Sequence, residues 1–205
     1  MIYVGIVLLV IAAALYFFWK IVFLRNPRRF TPKGNNVIAP ADGVVIEIFE
    51  FKNEEVKLFK GNQRLLGLIR TLTSDVAKEG YIVSVFMSPM DVHINRAPIT
   101  GEVVSVKHTN GKFLAVNTFE AGLVNEKAET IIKGNITVKM IQIAGFLARR
   151  VVTNVRKGDK VEAGQEVGLI NLGSQVTMIL PKTVTLKVKK GDRTVAGETI
   201  LAKIN

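Results

Sequence analysis

The 205-residue chain has no cysteine, which excludes disulfides, thiolate metal sites and a cysteine nucleophile. Its only two histidines, His93 and His108, are too few for a histidine-rich metal centre, and no metal is expected. Acidic residues are scarce, 17 against 28 Lys and Arg, giving a formal net charge of +11. That balance favours an anionic surface, either nucleic acid or the charged face of a bilayer. A Walker loop, a dinucleotide fingerprint and an RNA-binding signature are all missing, and the basic residues are not interleaved with aromatics. No nucleic-acid partner is expected.

What the chain does have is a long apolar start. Met1 to Trp19 carry no charge, and Ile21 to Leu24 extend the run beyond Lys20. As a helix this is long enough to cross a hydrocarbon core of ~30 Å. No basic stretch precedes it, and Ala12-Ala13-Ala14 lead into further apolar sequence, so a cleaved signal peptide is the weaker reading. A buried core helix is also possible on length, but the run is apolar on every face. Tyr16 and Trp19 suit a membrane interface, and Arg25, Arg28, Arg29 and Lys33 follow at once. The positive-inside rule then places the body of the protein on the cytoplasmic side of the cell membrane, its basic cluster against anionic headgroups. The expected organisation is an anchor over 1–24, a basic juxtamembrane linker over 25–35, and one domain over 36–205.

Pro27, Pro32 and Gly34 separate anchor from domain. Beyond them lie short Val- and Ile-rich runs: Gly43–Phe49, Tyr81–Phe86, Gly101–Val106 and Ile136–Ile143. Several alternate with polar residues and are punctuated by Gly or Pro, which predicts strands. Short helices are predicted around Leu65–Ala77 or Phe146–Val152. Late in the chain, Val155-Arg-Lys-Gly158-Asp159 with Ala163-Gly164 is echoed 33 residues on by Val188-Lys-Lys-Gly191-Asp192 with Ala196-Gly197. Two copies cannot make a solenoid. They resemble the paired units of biotinyl and lipoyl carrier domains. The predicted fold is therefore mainly β, a compact β-sandwich or barrel-sandwich-like domain behind an N-terminal anchoring helix. Ser174 is expected in the hairpin region between the repeat copies.

Several segments could carry chemistry. Ser174 follows Gly173, and a serine oxygen can attack its preceding carbonyl where the backbone bends and a base takes the proton. Glycine eases that approach. Attack on the Gly173 carbonyl would exchange amide for ester. β-Elimination would then leave a dehydroalanine, and its hydrolysis would release ammonia and leave a pyruvoyl group. Asp42 stands in Ala39-Pro-Ala-Asp42-Gly43, where many aspartates only close a turn. In Asp91-Val-His93-Ile-Asn95-Arg96-Ala-Pro98, strand alternation would put Asp91, His93 and Asn95 on one face. Arg96 cannot act as a base at neutral pH, but its planar fork suits a phosphodiester.

Taken together, these segments resemble the phosphatidylserine decarboxylase family in its short form, over roughly residues 23 to 181. The shared stretches are Phe23-Leu-Arg25-Asn-Pro27-Arg28-Arg29, Ala39–Gly43, Phe86–Pro98, Gln142-Ile-Ala-Gly-Phe-Leu-Ala-Arg149-Arg150 and Leu172-Gly173-Ser174. The resemblance implies self-cleavage between 173 and 174 into large (1–173) and small (174–205) chains, with Ser174 becoming the pyruvoyl cofactor. The amine of a serine-headgroup aminophospholipid would condense with that ketone as a Schiff base and lose carbon dioxide. It also implies that Asp42 orients a processing histidine, and that His93 serves as base or proton donor. Asn95, Arg96 and His108-Thr-Asn110-Gly111 would then lie near the substrate. Asn125-Glu126-Lys127 matches a family Asn-Glu-Arg, and Arg149-Arg150 suits headgroup contacts. One departure stands out: Arg96 replaces the second histidine of the pattern in longer members. Ester- and ether-linked lipids remain equally open, as does a homo-oligomer. The rivals are a non-catalytic, membrane-tethered lipoyl/biotinyl-like carrier, which would need a Met-Lys-Met tip that is absent, and an adaptor, which would carry long helical hairpins that the sequence does not show.

Overall fold

The structure, a computed structural model, describes residues 2–53, 55–56, 69–111, 125–145, 150–171 and 174–205. Helix α1 (Ile2–Phe17) runs on into a six-residue π-helix, Phe18–Phe23. Together they are long and apolar enough to cross a membrane. Residues 2–17 are all exposed, whereas Phe23 at the far end is buried.

The domain is mainly β, a curled sheet forming a half-barrel with two small sheets beside it. The large sheet orders β10 (Lys160–Val161), β6 (Gly101–Thr109), β7 (Lys127–Lys133), β8 (Thr137–Ala144) and β12 (Ser174–Pro181). It continues through β4 (Glu79–Met87), β2 (Gly43–Lys52) and β14 (Arg193–Thr194), with β3 (Glu55–Val56) beside β2. One small sheet orders β1 (Asn36–Ile38), β15 (Ile200–Ile204) and β13 (Val184–Leu186). The other orders β5 (Ile94–Arg96), β11 (Glu166–Ile170) and β9 (Val151–Thr153).

Alternation decides which way each side chain of the central strands points. Val176, Met178 and Leu180 of β12 enter the main core with Val83, Val85 and Met87. Ile179 points the other way, joining Ile82, Ile141, Ile143, Phe49 and Phe51 under a short helix α2 over 69–73. Both faces of β12 are thus covered, and Ser174 through Leu180 are all buried, the polar Gln175 and Thr177 among them. The helix predicted at Leu65–Ala77 is present at 69–73, and its first part lies outside the described residues. The one predicted at Phe146–Val152 is corrected at its end. Val151 and Val152 are β-branched and pair with β11, while 146–149 lie outside the described residues.

The late repeat is half of a larger duplication. Ala39-Pro40-Ala-Asp42-Gly43-Val-Val45 is echoed by Ala97-Pro98-Ile-Thr100-Gly101-Glu-Val103. Each echo takes one Lys-Gly-Asp turn and one Ala-Gly turn. Gly191 N–H donates to Val45 O, and Gly158 N–H to Val103 O, both at 2.8 Å. Gly197 N–H donates to Ala39 O at 2.9 Å, and Gly164 N–H to Ala97 O at 2.8 Å. The turn glycines match in backbone too, with φ +94° and +95° at Gly191 and Gly158. Such values explain why glycine recurs there. The halves also clasp reciprocally: Ile38 N–H donates to Pro98 O, and Arg96 N–H to Pro40 O.

Candidate active site

Ser174 is the first residue of β12 and is fully buried, paired with Met87 of β4 and Ala144 of β8. The sequence expectation of a hairpin position is corrected here. The apolar run after Ser174 forms the middle strand of the large sheet and carries the serine in with it. Alternation turns Ser174 toward the main core, on the side of Val176 and Met178. Among the described residues its Oγ meets only the thioether of Met87, at 3.3 Å, a weak acceptor. Gly173, whose carbonyl would be attacked, and Leu172 lie outside the described residues.

The segment before them is tied to the histidine loop, because Ile170 N–H donates to His93 O at 3.3 Å. Asn95 links the same parts from below. Its Nδ2 donates to Met87 Sδ at 3.8 Å, and its Oδ1 accepts from Gln142 Nε2 at 2.8 Å. Thr153 Oγ1 in turn donates to Gln142 Oε1 at 3.4 Å. A buried polar row, Thr153–Gln142–Asn95, therefore ends at the sulfur that Ser174 touches.

His93, just before β5, is 2% exposed. Its Nδ1 lies 2.8 Å from Asp91 O. A carbonyl oxygen only accepts, so Nδ1 carries the proton and Nε2 presents its lone pair. That Nε2 is buried and has no hydrogen-bond partner among the described residues. Burial pushes the imidazole down from 6.5 to about 4, more than the opposing pull of Asp91 and Asp42; Arg25 adds to the lowering. At neutral pH the ring is a neutral base with a fixed tautomer. The Asp91 carboxylate closes its own turn through Ser88 N and Oγ, and pairs with Arg193 at 2.6 Å.

Asp42 is held differently from the resemblance. Both its oxygens accept from Arg29 NH2, at 3.0 and 2.8 Å, and Oδ1 also accepts from Ala196 N–H at 2.7 Å. It acts on His93 through space rather than by a hydrogen bond. Arg96 likewise faces inward. Its guanidinium donates to Gly164 O at 2.9 Å and Asn26 Oδ1 at 2.7 Å, clamping the juxtamembrane linker to the domain. Gly197 makes room for it, since a Cβ there would lie 2.8 Å from Arg96 Cδ. His108 is exposed on β6, with β7 and β8 between it and β12. At ~4.8 Å per strand that is about 14 Å away, so the fold does not bring it to Ser174. Asn125 Nδ2 donates to Ala144 O at 2.7 Å, bracing the β8 residue opposite Ser174. Arg150 is exposed, and Arg149 lies outside the described residues.

Met87, Gln142, Thr153 and Phe23 belong to this region without having been singled out for a role, and Arg29, expected to face headgroups, instead pairs with Asp42. Gln142 carried a signal, a polar residue between the isoleucines 141 and 143 of β8. Phe23 did not, as it closes a run of similar residues.

A family model described as phosphatidylserine decarboxylase matches residues 17–202. The chain belongs to the phosphatidylserine decarboxylase family. Among its relatives is a protein of Methanocaldococcus jannaschii, provisionally named archaetidylserine decarboxylase proenzyme. It is 40% identical over 94% of this chain and 93% of its own length. The phosphatidylserine decarboxylase proenzyme of Geobacter metallireducens is 42% identical over 88% of this chain and 75% of its own. This family member is accordingly a decarboxylase related to proteins made as proenzymes.

Proposed function

We propose that the chain is a self-processing, pyruvoyl-dependent decarboxylase. Its substrate is a serine-headgroup phospholipid, phosphatidylserine or archaetidylserine, and its products are the ethanolamine lipid and carbon dioxide. The observation that carries this reading is His93. It is a buried imidazole whose Nδ1 is committed to Asp91 and whose Nε2 is bare, in the loop bonded to the segment that leads into Ser174.

In this reading Nε2 takes the proton of Ser174 Oγ as that oxygen attacks the Gly173 carbonyl. The thioether of Met87 does not compete for the proton, so Ser174 is held without being neutralised as a nucleophile. Gln142 and Asn95 fix the sulfur from behind. The residues present fit a group made from Ser174, because the serine is buried, sheltered from water and only weakly bonded. Once formed, the pyruvoyl group supplies an electrophilic ketone that binds the substrate amine and accepts the electrons released with carbon dioxide. An anionic lipid entering beside His93 would raise the imidazole again, letting Nε2 hold a proton for later delivery. Arg96 acts as a clamp, which leaves the exposed Arg28 and Lys33 for the headgroup region. The apolar helix would hold the site at the bilayer surface, with the domain on the cytoplasmic side, so a lipid need not leave the membrane.

Intact mass tests the reading. Wild type should resolve into chains 1–173 and 174–205, the second blocked at its terminus, and Ser174→Ala should stay whole and inactive. His93→Gln should slow cutting by ~10²–10⁴-fold, as loss of a general base does. A single uncut wild-type chain that still releases carbon dioxide would sink the proposal.

A further inference from the structure

The end of the anchor does not stop at the domain surface. Phe23 is 1% exposed, the one buried residue of the segment Ile2–Phe23. Its ring lies 4.2 Å from the His93 imidazole, centroid to centroid, tilted by 37°. Trp19 stacks on Phe23 at 4.7 Å and 14°. The π-helix makes this possible: Leu24 N–H bonds to Trp19 O, and the widened turn swings Phe23 off the lipid-facing surface. Arg25 pins the junction by donating to Val22 O and to Met90 O, in the loop that leads to His93.

We propose that Phe23 is a positioning residue for His93, so that the anchor forms one wall of the catalytic site and sets the orientation and dryness of the imidazole. The proposal rests on the role given to His93 above. Three groups act electrostatically on the ring: the Asp91 carboxylate, the Asp42 carboxylate and the Arg25 guanidinium. None of them is Phe23, whose contribution is to exclude water and restrict the ring. The low value of the imidazole, about 4, agrees with that.

With two histidines in the chain, the titration can be read directly. Full-length Ser174→Ala protein, labelled at histidine with nitrogen-15 and held in detergent micelles, should show His93 titrating near 4. Adding Phe23→Ala should move the His93 midpoint toward its free value of about 6.5. Phe23→Leu should leave the midpoint low but abolish the ring-current shift of the His93 protons. If Phe23→Ala does not fold, the Leu variant decides. An unchanged midpoint in Phe23→Ala, or an unchanged ring-current shift in Phe23→Leu, would overturn the proposal.

With Ser174 restored, Phe23→Ala should cut about tenfold more slowly than wild type at pH 5.5, where an imidazole of value 6.5 is mostly protonated. The deficit should shrink above pH 7.5. A deficit equal at every pH would mark a folding role and also overturn the proposal. The titration is read in uncut protein, so it stands apart from the processing role. If His93→Gln matures normally, the proposed mechanism fails while the contact itself can still be judged.

Discussion

The two halves of the duplication do one structural job with two different residues. In one, Thr100 Oγ1 accepts from Ala163 N–H at 3.0 Å. In the other, Asp42 Oδ1 accepts from Ala196 N–H at 2.7 Å. A neutral hydroxyl is therefore enough to hold an Ala-Gly turn of this design. The carboxylate at Asp42 adds something the fold does not require: a charge paired with Arg29 and felt by His93. The reciprocal positions diverge in the same way. Ile38 disappears into the core, whereas Arg96 reaches out to clamp the linker from the anchor. Each copy of the repeated frame thus carries one departure, the charge of Asp42 on the first and the linker clamp of Arg96 on the second, while Thr100 and Ile38 show what the frame needs alone.

Making the halves alike should have the largest effect. Asp42→Thr keeps an acceptor for Ala196 but strands Arg29, whose side chain is 11% exposed. Denaturant unfolding of the uncut Ser174→Ala chain should show a loss of about 3 kcal/mol, the scale for an abandoned buried charge. Thr100→Val, by contrast, should cost under about 1 kcal/mol. Adding Arg29→Met to Asp42→Thr should recover most of the loss, and no recovery would mean that the carboxylate supports the turn itself.

A smaller effect should fall equally on both halves. Gly191 and Gly158 have matching φ and open space where a Cβ would go. Substituting Ala at either should cost ~1–2 kcal/mol through backbone strain alone. Unequal costs in the same unfolding assay would show that the frames are not equivalent.

The smallest effect concerns pH. In the proposed mechanism processing needs neutral His93, so its rate should hold below pH 6 and fall as pH drops through about 4. Asp42→Asn removes a charge that raises this value, so the midpoint should move slightly lower, and Thr100→Val should not move it. Stability carries the same sign. The unfolded chain binds the proton near 6.5 and the folded one near 4, so stability declines as pH falls between them and levels off below. A rate profile that is flat down to pH 3.5 would remove His93 as the base.

Much of the frame was legible because local patterns are strong. The run Tyr81–Phe86 became β4 and Ile136–Ile143 became β8, each within two residues, and the Lys-Gly-Asp and Ala-Gly turns fell where the glycines stand. The interleaving was not legible, because a short echo 58 positions away carries little signal until hydrogen bonds join it. Ser174 was misplaced because a Gly-Ser pair signals a turn, while only tertiary pairing makes the next seven residues a central strand. The partner of Asp42 was missed for a related reason. Arg29 counted among the basic residues facing headgroups, and no spacing rule joins it to a carboxylate 13 positions on.

The place of β12 also constrains how the molecule can be made. A cut before Ser174 would give a small chain holding β12 through β15. Of these, β12 lies between β8 and β4, β14 extends β2, and β15 pairs with β1. Such a piece could neither diffuse away without opening the sheet nor be supplied later as a separate peptide, because its slot exists only once it is filled. For such a cut, synthesis as one polypeptide, folded first and severed afterwards, would be the assembly route, and the new terminus would be born already enclosed.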